Sequence, residues 1–148
     1  MSPMVSTFEI DRPPDVVFSY ATDPSRFAEW QHDVVQVRVE GDRLAEVGAR
    51  FTTTRRIGRA QRTMTQEVTE IDPPRRWAVR GVDGPVRPNV TITVDPLDGG
   101  ARSRVTIALD FEGRGIGRLI VPLAVRRLAR KGSPTSYRNL QDLLDGGR

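Results

Sequence analysis

Alternation of apolar and polar side chains with a period of two dominates the middle of the chain. From Val34 onward, Val35, Val37 and Val39 share one face, a pattern typical of a half-buried strand. Further strands are predicted at 5–10, 49–57, 62–71, 76–82, 89–94 and 103–111. The short Gly-, Pro- and Asp-containing connections between successive strands predict antiparallel neighbours. The pattern therefore indicates one sheet of about six or seven strands.

Two short helices are predicted between the first two strands. The Pro13-Pro14 pair fits a helix start, and that helix ends near Ala21. Asp23 is the predicted N-cap of a second helix, with Pro24 in its first position and Trp30 near its end.

After Gly113 the apolar period becomes helical. The spacing predicts a stripe that must pack on a partner. The stripe consists of Ile116, Leu119, Ile120, Leu123, Ala124 and Leu128. Gly132 and Pro134 interrupt the pattern, which resumes at Tyr137, so we expect one kinked helix or two consecutive helices.

Length and composition narrow the class of protein. The 148 residues fit one domain, residues 1–148. With no cysteine and one histidine, a thiolate site and a multi-His site are excluded, so we expect no metal and no cofactor. No N-terminal signal pattern and no apolar run of about 20 residues occurs, so we expect no transmembrane segment and a cytoplasmic location.

The order of these elements, together with a set of loosely spaced residues, resembles the polyketide cyclase/dehydrase group of the START/Bet v 1-like (SRPBCC) superfamily. The residues are Phe8-x-Ile10-x-Arg12-Pro13-Pro14-x-x-Val17-Phe18, Asp23, Trp30 and Glu70-x-x-Pro73-Pro74-x-x-Trp77. The resemblance implies an α+β helix-grip fold, in which a curved antiparallel sheet wraps around a long C-terminal helix. It also implies a cavity between them, often for lipids, sterols, hormones or polyketides.

His32 and Arg127 are the candidates for chemistry outside the strands. His32, the single histidine, is a weak candidate for a general base, although a lone histidine in a connecting segment is more often solvated. Arg127 falls on the helical face of Ile116, Ile120 and Leu123. It either anchors a ligand carboxylate or covers the stripe with its aliphatic stem while its guanidinium reaches solvent.

Four more residues are candidates for lining the cavity. Arg55 shares a strand face with Phe51, and Gln66 shares one with Val68, so each either orients a ligand or lies on the convex, wet face. Trp30 is predicted to be shielded and to belong to the ligand site. Tyr137 is predicted to line the cavity mouth or to join the core.

The leading functional hypothesis is binding or handling of a small hydrophobic ligand, polyketide- or lipid-like, in that cavity. The alternative is a polyketide cyclase/dehydratase enzyme. An anionic-surface or nucleic-acid interaction module ranks lowest, and we expect no nucleic-acid partner, because the basic residues are spread around the helix without interleaved aromatics. Those residues are Arg114, Arg118, Arg126, Arg127, Arg130 and Lys131. A homodimer is left open.

Overall fold

Seven strands and four α-helices make up the described chain. The computed structural model of the protein describes residues 3–41, 46–121 and 125–146. The strands are β1 (Met4–Ile10), β2 (Val34–Val39), β3 (Arg50–Ile57), β4 (Ala60–Asp72), β5 (Arg76–Gly81), β6 (Val86–Leu97) and β7 (Arg102–Gly113). The helices are α1 (Pro14–Ala21), α2 (Phe27–Trp30), α3 (Gly117–Ile120) and α4 (Arg126–Gly146).

All seven strands form one antiparallel sheet in the order β1-β7-β6-β5-β4-β3-β2. The strands from β2 to β7 pair with their neighbours in sequence, as short connections require. β1 pairs with β7 along its whole length, from Met4 opposite Leu109 to Ile10 opposite Ser103. The sheet is curved and accompanied by the C-terminal helix, so the predicted α+β helix-grip architecture is confirmed.

β6 is longer than the predicted 89–94 because its prolines do not end it. Pro88 pairs with Phe111 and Pro96 with Ser103 of β7, whereas β5 pairs with β6 only between Asn89 and Thr93. Each proline therefore lies beyond the end of β5, where its missing N–H removes no bond to that strand.

The phase of β2 differs from the prediction at Val35. Val34 is buried but Val35 is 47% exposed, while Val37 and Val39 are half-buried. The pairing with β3 shifts between Val34 and Gln36, and such an irregularity reverses which side chains face the core.

The two short helices after β1 are confirmed. α1 has Pro13 at its N-cap and ends at Ala21, and the Asp23 side chain accepts a hydrogen bond from the Ser25 N–H in the 3-10 turn (Pro24–Arg26) that leads into α2. α1 packs against β6 and β7, and α2 packs against α4 and β2. Trp30 is 3% exposed, as predicted, and Trp77 is 2% exposed.

The predicted C-terminal stripe is not buried as a whole, since Ile116 and Leu119 are each 67% exposed. α3 ends at Ile120 and α4 begins at Arg126, and residues 122–124 between them lie outside the described residues. α4 runs through Gly132 and Pro134, so the alternative of two helices separated there is wrong. No described helix is long and apolar enough to cross a membrane.

Candidate functional site

A cavity of about 180 Å³ lies between the sheet and α4. Strands β3 to β7 supply one wall, because alternate residues of each strand face inward. α2, the segment 31–33 and α4 supply the opposite side. The sheet residues lining it include Phe51, Arg55, Met64, Gln66, Trp77, Val79, Val90, Ile92, Ile107, Leu109 and Phe111. A cavity of about 150 Å³ with such apolar walls holds a benzene-sized ligand, so this one admits a single ring or a short chain.

Four aromatic rings form the inner wall next to α2. The Phe27 ring meets Trp30, Phe51 and Trp77 edge-on, with centroid separations of 6.0, 5.6 and 6.0 Å. Phe51 and Trp77 stack at 6.4 Å. These offset and edge-to-face geometries are the favourable ones for aromatic pairs. All four rings are at most 3% exposed, so this wall is rigid and apolar.

Trp30 brings a polar atom into that wall. Its Nε1 is buried and has no hydrogen-bond partner within the described ranges. The Trp30 carbonyl accepts a hydrogen bond of 3.2 Å from Asn139 of α4, which fixes the end of α2 against the helix. A buried donor left unsatisfied costs about 1–3 kcal/mol.

Gln66 is the polar group deepest in the sheet wall. It is 3% exposed, and its Nε2 donates to Oγ1 of the fully buried Thr53 at 3.1 Å. This hydrogen bond orients the amide within the wall, since Thr53 and Gln66 lie on adjacent strands.

Arg55 lies at the rim, held by residues of the loop after α2. Its Nη1 donates to Asp33 Oδ1 at 2.9 Å, and its Nη2 donates to Gln31 Oε1. The guanidinium is therefore neutralised by the Asp33 carboxylate. Arg55 therefore links β3 to the loop after α2 and adds no uncompensated charge to the cavity.

His32 covers the mouth of the cavity from the same loop. The Ser136 Oγ accepts a 3.1 Å hydrogen bond from the His32 backbone N–H and lies 3.1 Å from its Nδ1. A Cβ added to Gly132 would overlap His32 Cε1 and lie 3.0 Å from Nε2, so the imidazole packs directly over the bare backbone of Gly132. The histidine is exposed, as the solvated-loop alternative expects, and its ring also has Ser136 as a partner.

Tyr137 lies on the α4 side and stacks on Phe8 with a centroid separation of 5.5 Å. It is 9% exposed, and burial raises the pKa of its phenol, opposed by a hydrogen bond with Ser133 and by the charge of Arg55. Tyr137 is therefore neutral at physiological pH, able to donate or accept a hydrogen bond.

Five of the predicted site residues converge on this cavity, and two do not. Trp30, His32, Arg55, Gln66 and Tyr137 all line it. Ile116 is 67% exposed and lines no part of it, which contradicts the predicted inward stripe.

Arg127 is exposed as well, which agrees with the alternative that its guanidinium reaches solvent. Its neighbour Arg126 is the buried one, 8% exposed and paired with Asp110. The Ile120 side chain and Leu123 lie outside the described residues.

Sequence reasoning missed the small polar residues of the rim. Gln31, Asp33, Ser133 and Ser136 line the cavity, and Gly132 makes room for His32. The available signal was the spacing of Gly132, Ser136 and Leu140 along one helical face, since small residues on a buried face indicate a close approach. Within the described chain no three His, Cys, Asp or Glu side chains lie close enough to hold a metal ion.

The sequence profile of one family matches residues 2–145. That family is described as polyketide cyclase/dehydrase and lipid transport. The chain belongs to this family. Among curated proteins, no relative matches the chain at a significant level.

Solved structures of low sequence identity share the family's fold. The protein TTHA0849 from Thermus thermophilus aligns with a TM-score of 0.77 at 18% identity, covering 98% of both chains. The Zhui aromatase/cyclase from a Streptomyces species aligns with a TM-score of 0.73 at 16% identity, over 95% of this chain and 94% of that one. The di-domain aromatase/cyclase BexL, from the BE-7585A biosynthetic pathway, aligns with a TM-score of 0.69 at 17% identity, over 95% of this chain and 45% of that one.

Proposed function

We propose that the protein binds one small, uncharged, largely apolar molecule that carries a hydrogen-bond acceptor, in the cavity between the sheet and α4. The carrying observation is a mainly apolar cavity lined by Trp30, whose indole N–H is buried and has no partner among the described residues. The family description, which includes lipid transport, supports a ligand of the polyketide- or lipid-like class.

The electrostatics of the rim favour a neutral ligand. Arg55, one of the two arginines that line the cavity, already has a carboxylate partner in Asp33 at 2.9 Å. An anionic ligand would have to compete with that partner, and burying an uncompensated charge is costly.

The test compares two ligands of nearly the same shape, acetophenone and ethylbenzene, of which only the ketone has an acceptor. Isothermal titration calorimetry would measure both dissociation constants for the natural protein, Trp30→Phe and the matched control Trp77→Phe. Both variants shorten an aromatic side chain in the same wall, but only Trp30→Phe removes the unpartnered N–H.

The expected result is a preference for acetophenone that falls about five- to a hundredfold in Trp30→Phe and stays in Trp77→Phe, since satisfying a buried donor is worth about 1–3 kcal/mol. The ratio of the two dissociation constants within each variant cancels the difference in hydration between the two ligands. No binding of either ligand would refute the proposal. An unchanged ratio in Trp30→Phe would refute the role of the N–H.

A polyketide cyclase/dehydratase activity is the second candidate. The pairing of His32 with Ser136 at the cavity mouth favours it, since it holds an imidazole beside the ligand space, and two of the structural relatives are named as aromatase/cyclases. Loss of turnover of a polyketide-like substrate in His32→Gln, with unchanged affinity, would support this candidate.

We also propose that residues 1–148 form one domain, supported by the single sheet that spans Met4 to Gly113 and by the packing of α4 against β1 and α2. A cytoplasmic location and a homodimer stay predictions.

A further inference from the structure

Residues 113–141 carry basic side chains and no carboxylate. The whole chain has 23 basic and 19 acidic residues, and this segment holds seven of the basic ones, so the remainder has 16 basic against 19 acidic. The seven are Arg114, Arg118, Arg126, Arg127, Arg130, Lys131 and Arg138. The positive charge of the protein is therefore concentrated in the segment that includes α3 and most of α4.

The structure separates these cations into a buried one and an exposed stripe. Arg126 is buried and paired with Asp110. Arg127, Lys131 and Arg138 are spaced by four and seven residues, so they share one face of α4, and all three are exposed. These three lie on the side of α4 opposite the cavity-lining Gly132 and Ser136.

Exposed apolar side chains lie among the cations at α3. Ile116 and Leu119 are each 67% exposed, and the turn between them is closed by a 3.1 Å hydrogen bond from the Leu119 N–H to the Ile116 carbonyl. Arg114 and Arg118 alternate with them along the chain and are exposed too. A single exposed apolar residue needs no explanation, but a turn that exposes two between arginines forms an amphipathic patch.

α3 and the start of α4 meet at the same end of the sheet. Val121, next to α3, and Val125, next to α4, are buried together with Met64 and Val86. Leu128, one turn further along α4, is 41% exposed and lines the cavity. α3 and the first turn of α4 therefore lie at the same end of the sheet, next to the cavity. We call this surface the basic face: Arg114, Ile116, Arg118, Leu119, Arg127, Leu128, Lys131 and Arg138.

We propose that the basic face docks on an anionic lipid bilayer. Cations attract the negative headgroups, while the exposed Ile116 and Leu119 insert at the boundary between headgroups and acyl chains. The inference goes beyond the proposed ligand and stands without it.

Two other occupants fit the basic face less well. A second copy of the chain would oppose two faces of the same charge, which repel. A nucleic acid would satisfy the cations but not the apolar pair, and the single aromatic of the segment, Tyr137, is buried and offers no ring for base stacking.

Vesicle co-flotation at about 0.1 M ionic strength tests the proposal. One set of vesicles is phosphatidylcholine alone, and the other is an equimolar mixture with phosphatidylserine. The apolar variant is Ile116→Ser/Leu119→Ser, matched by Val5→Ser/Val47→Ser, whose side chains are 61% and 64% exposed elsewhere. The charge variant replaces Arg127, Lys131 and Arg138 with Gln, matched by Gln at three exposed arginines outside the segment, Arg38, Arg62 and Arg104.

The natural protein and both controls should float with the phosphatidylserine vesicles and stay behind with phosphatidylcholine alone. The charge variant should lose about fivefold in partition for each neutralised cation, and the apolar variant should lose binding as well. Circular dichroism and melting curves would establish that each variant is folded.

The proposal is overturned if the natural protein floats with neither vesicle, floats equally with both, or binds phosphatidylserine vesicles no better than the apolar variant does. Duplex DNA is the competing probe. If the protein binds DNA as strongly as it binds phosphatidylserine vesicles, and the apolar variant binds DNA equally well, the basic face would be assigned to nucleic acid instead.

Discussion

Replacing Gly132 with alanine tests the contact between His32 and α4. Two opposing effects act at this position. Alanine is a better helix former than glycine by about 0.8–1.0 kcal/mol, so the substitution alone should stabilise α4. The added methyl group would overlap His32 Cε1, however, and the imidazole must move to admit it.

The cost of that movement follows from the bonds it breaks. Displacing the ring removes the 3.1 Å contact between His32 Nδ1 and Ser136 Oγ, and a hydrogen bond of this kind contributes about 0.5–1.5 kcal/mol. We therefore expect Gly132→Ala to change the free energy of unfolding by less than about 1 kcal/mol, since the two effects nearly cancel.

Chemical denaturation of a double-mutant cycle separates the two effects. In the His32→Ala background no ring opposes the methyl group, so Gly132→Ala should stabilise by the full helix propensity, about 1 kcal/mol. The difference between the two backgrounds is the coupling of Gly132 to His32. An equal stabilisation by about 1 kcal/mol in both backgrounds would show that the imidazole does not lie over Gly132.

Two further changes have definite expected outcomes. Trp77→Ala should lower the free energy of unfolding by about 3–5 kcal/mol, because the ring is buried against Phe27 and Phe51. Leu119→Ala, at a site 67% exposed, should change the free energy of unfolding by no more than about 0.5 kcal/mol. Urea titrations would measure both values. Burial and the hydrogen bond to Glu29 raise the pKa of Tyr20 from 10.0 to about 12. Between those values the folded protein keeps a proton that the unfolded chain loses, so the free energy of unfolding should fall as pH rises, and Tyr20→Phe should flatten that fall. If the free energy of unfolding fell equally steeply with pH in Tyr20→Phe and in the natural protein, the raised pKa of Tyr20 would be contradicted.

The elements were largely predictable because their signals are local. The period-two runs, the Pro13-Pro14 helix start and the Asp23 cap each depend on residues adjacent in sequence, and each is present in the structure. The predictions failed where the side of an element on which a residue lies depends on contacts with residues distant in sequence. Val35 turned outward because a pairing irregularity reversed β2, and Ile116 is exposed although its spacing matched the predicted stripe.

The candidate site was predictable only in part for a related reason. Single residues such as Gln66 and Arg55 were identified from strand alternation, but which face is concave depends on the whole sheet. The pairs that define the site are distant in the chain: His32 meets Ser136, and Trp30 meets Asn139, across more than a hundred residues. No periodicity within one element reports such a contact.

The pairing of Arg55 and Gln66 inside the cavity is one reason that we propose ligand binding ahead of cyclisation chemistry. Stabilising a developing enolate requires donors or cations aimed at the new negative charge. Arg55 is engaged by Asp33 and Gln31, and the Gln66 amide is engaged by Thr53. The buried side-chain donor left without a partner among the described residues is the neutral indole N–H of Trp30. A neutral donor in an aromatic wall is suited to a neutral acceptor, such as a ketone, more than to an anion that must leave water to reach it.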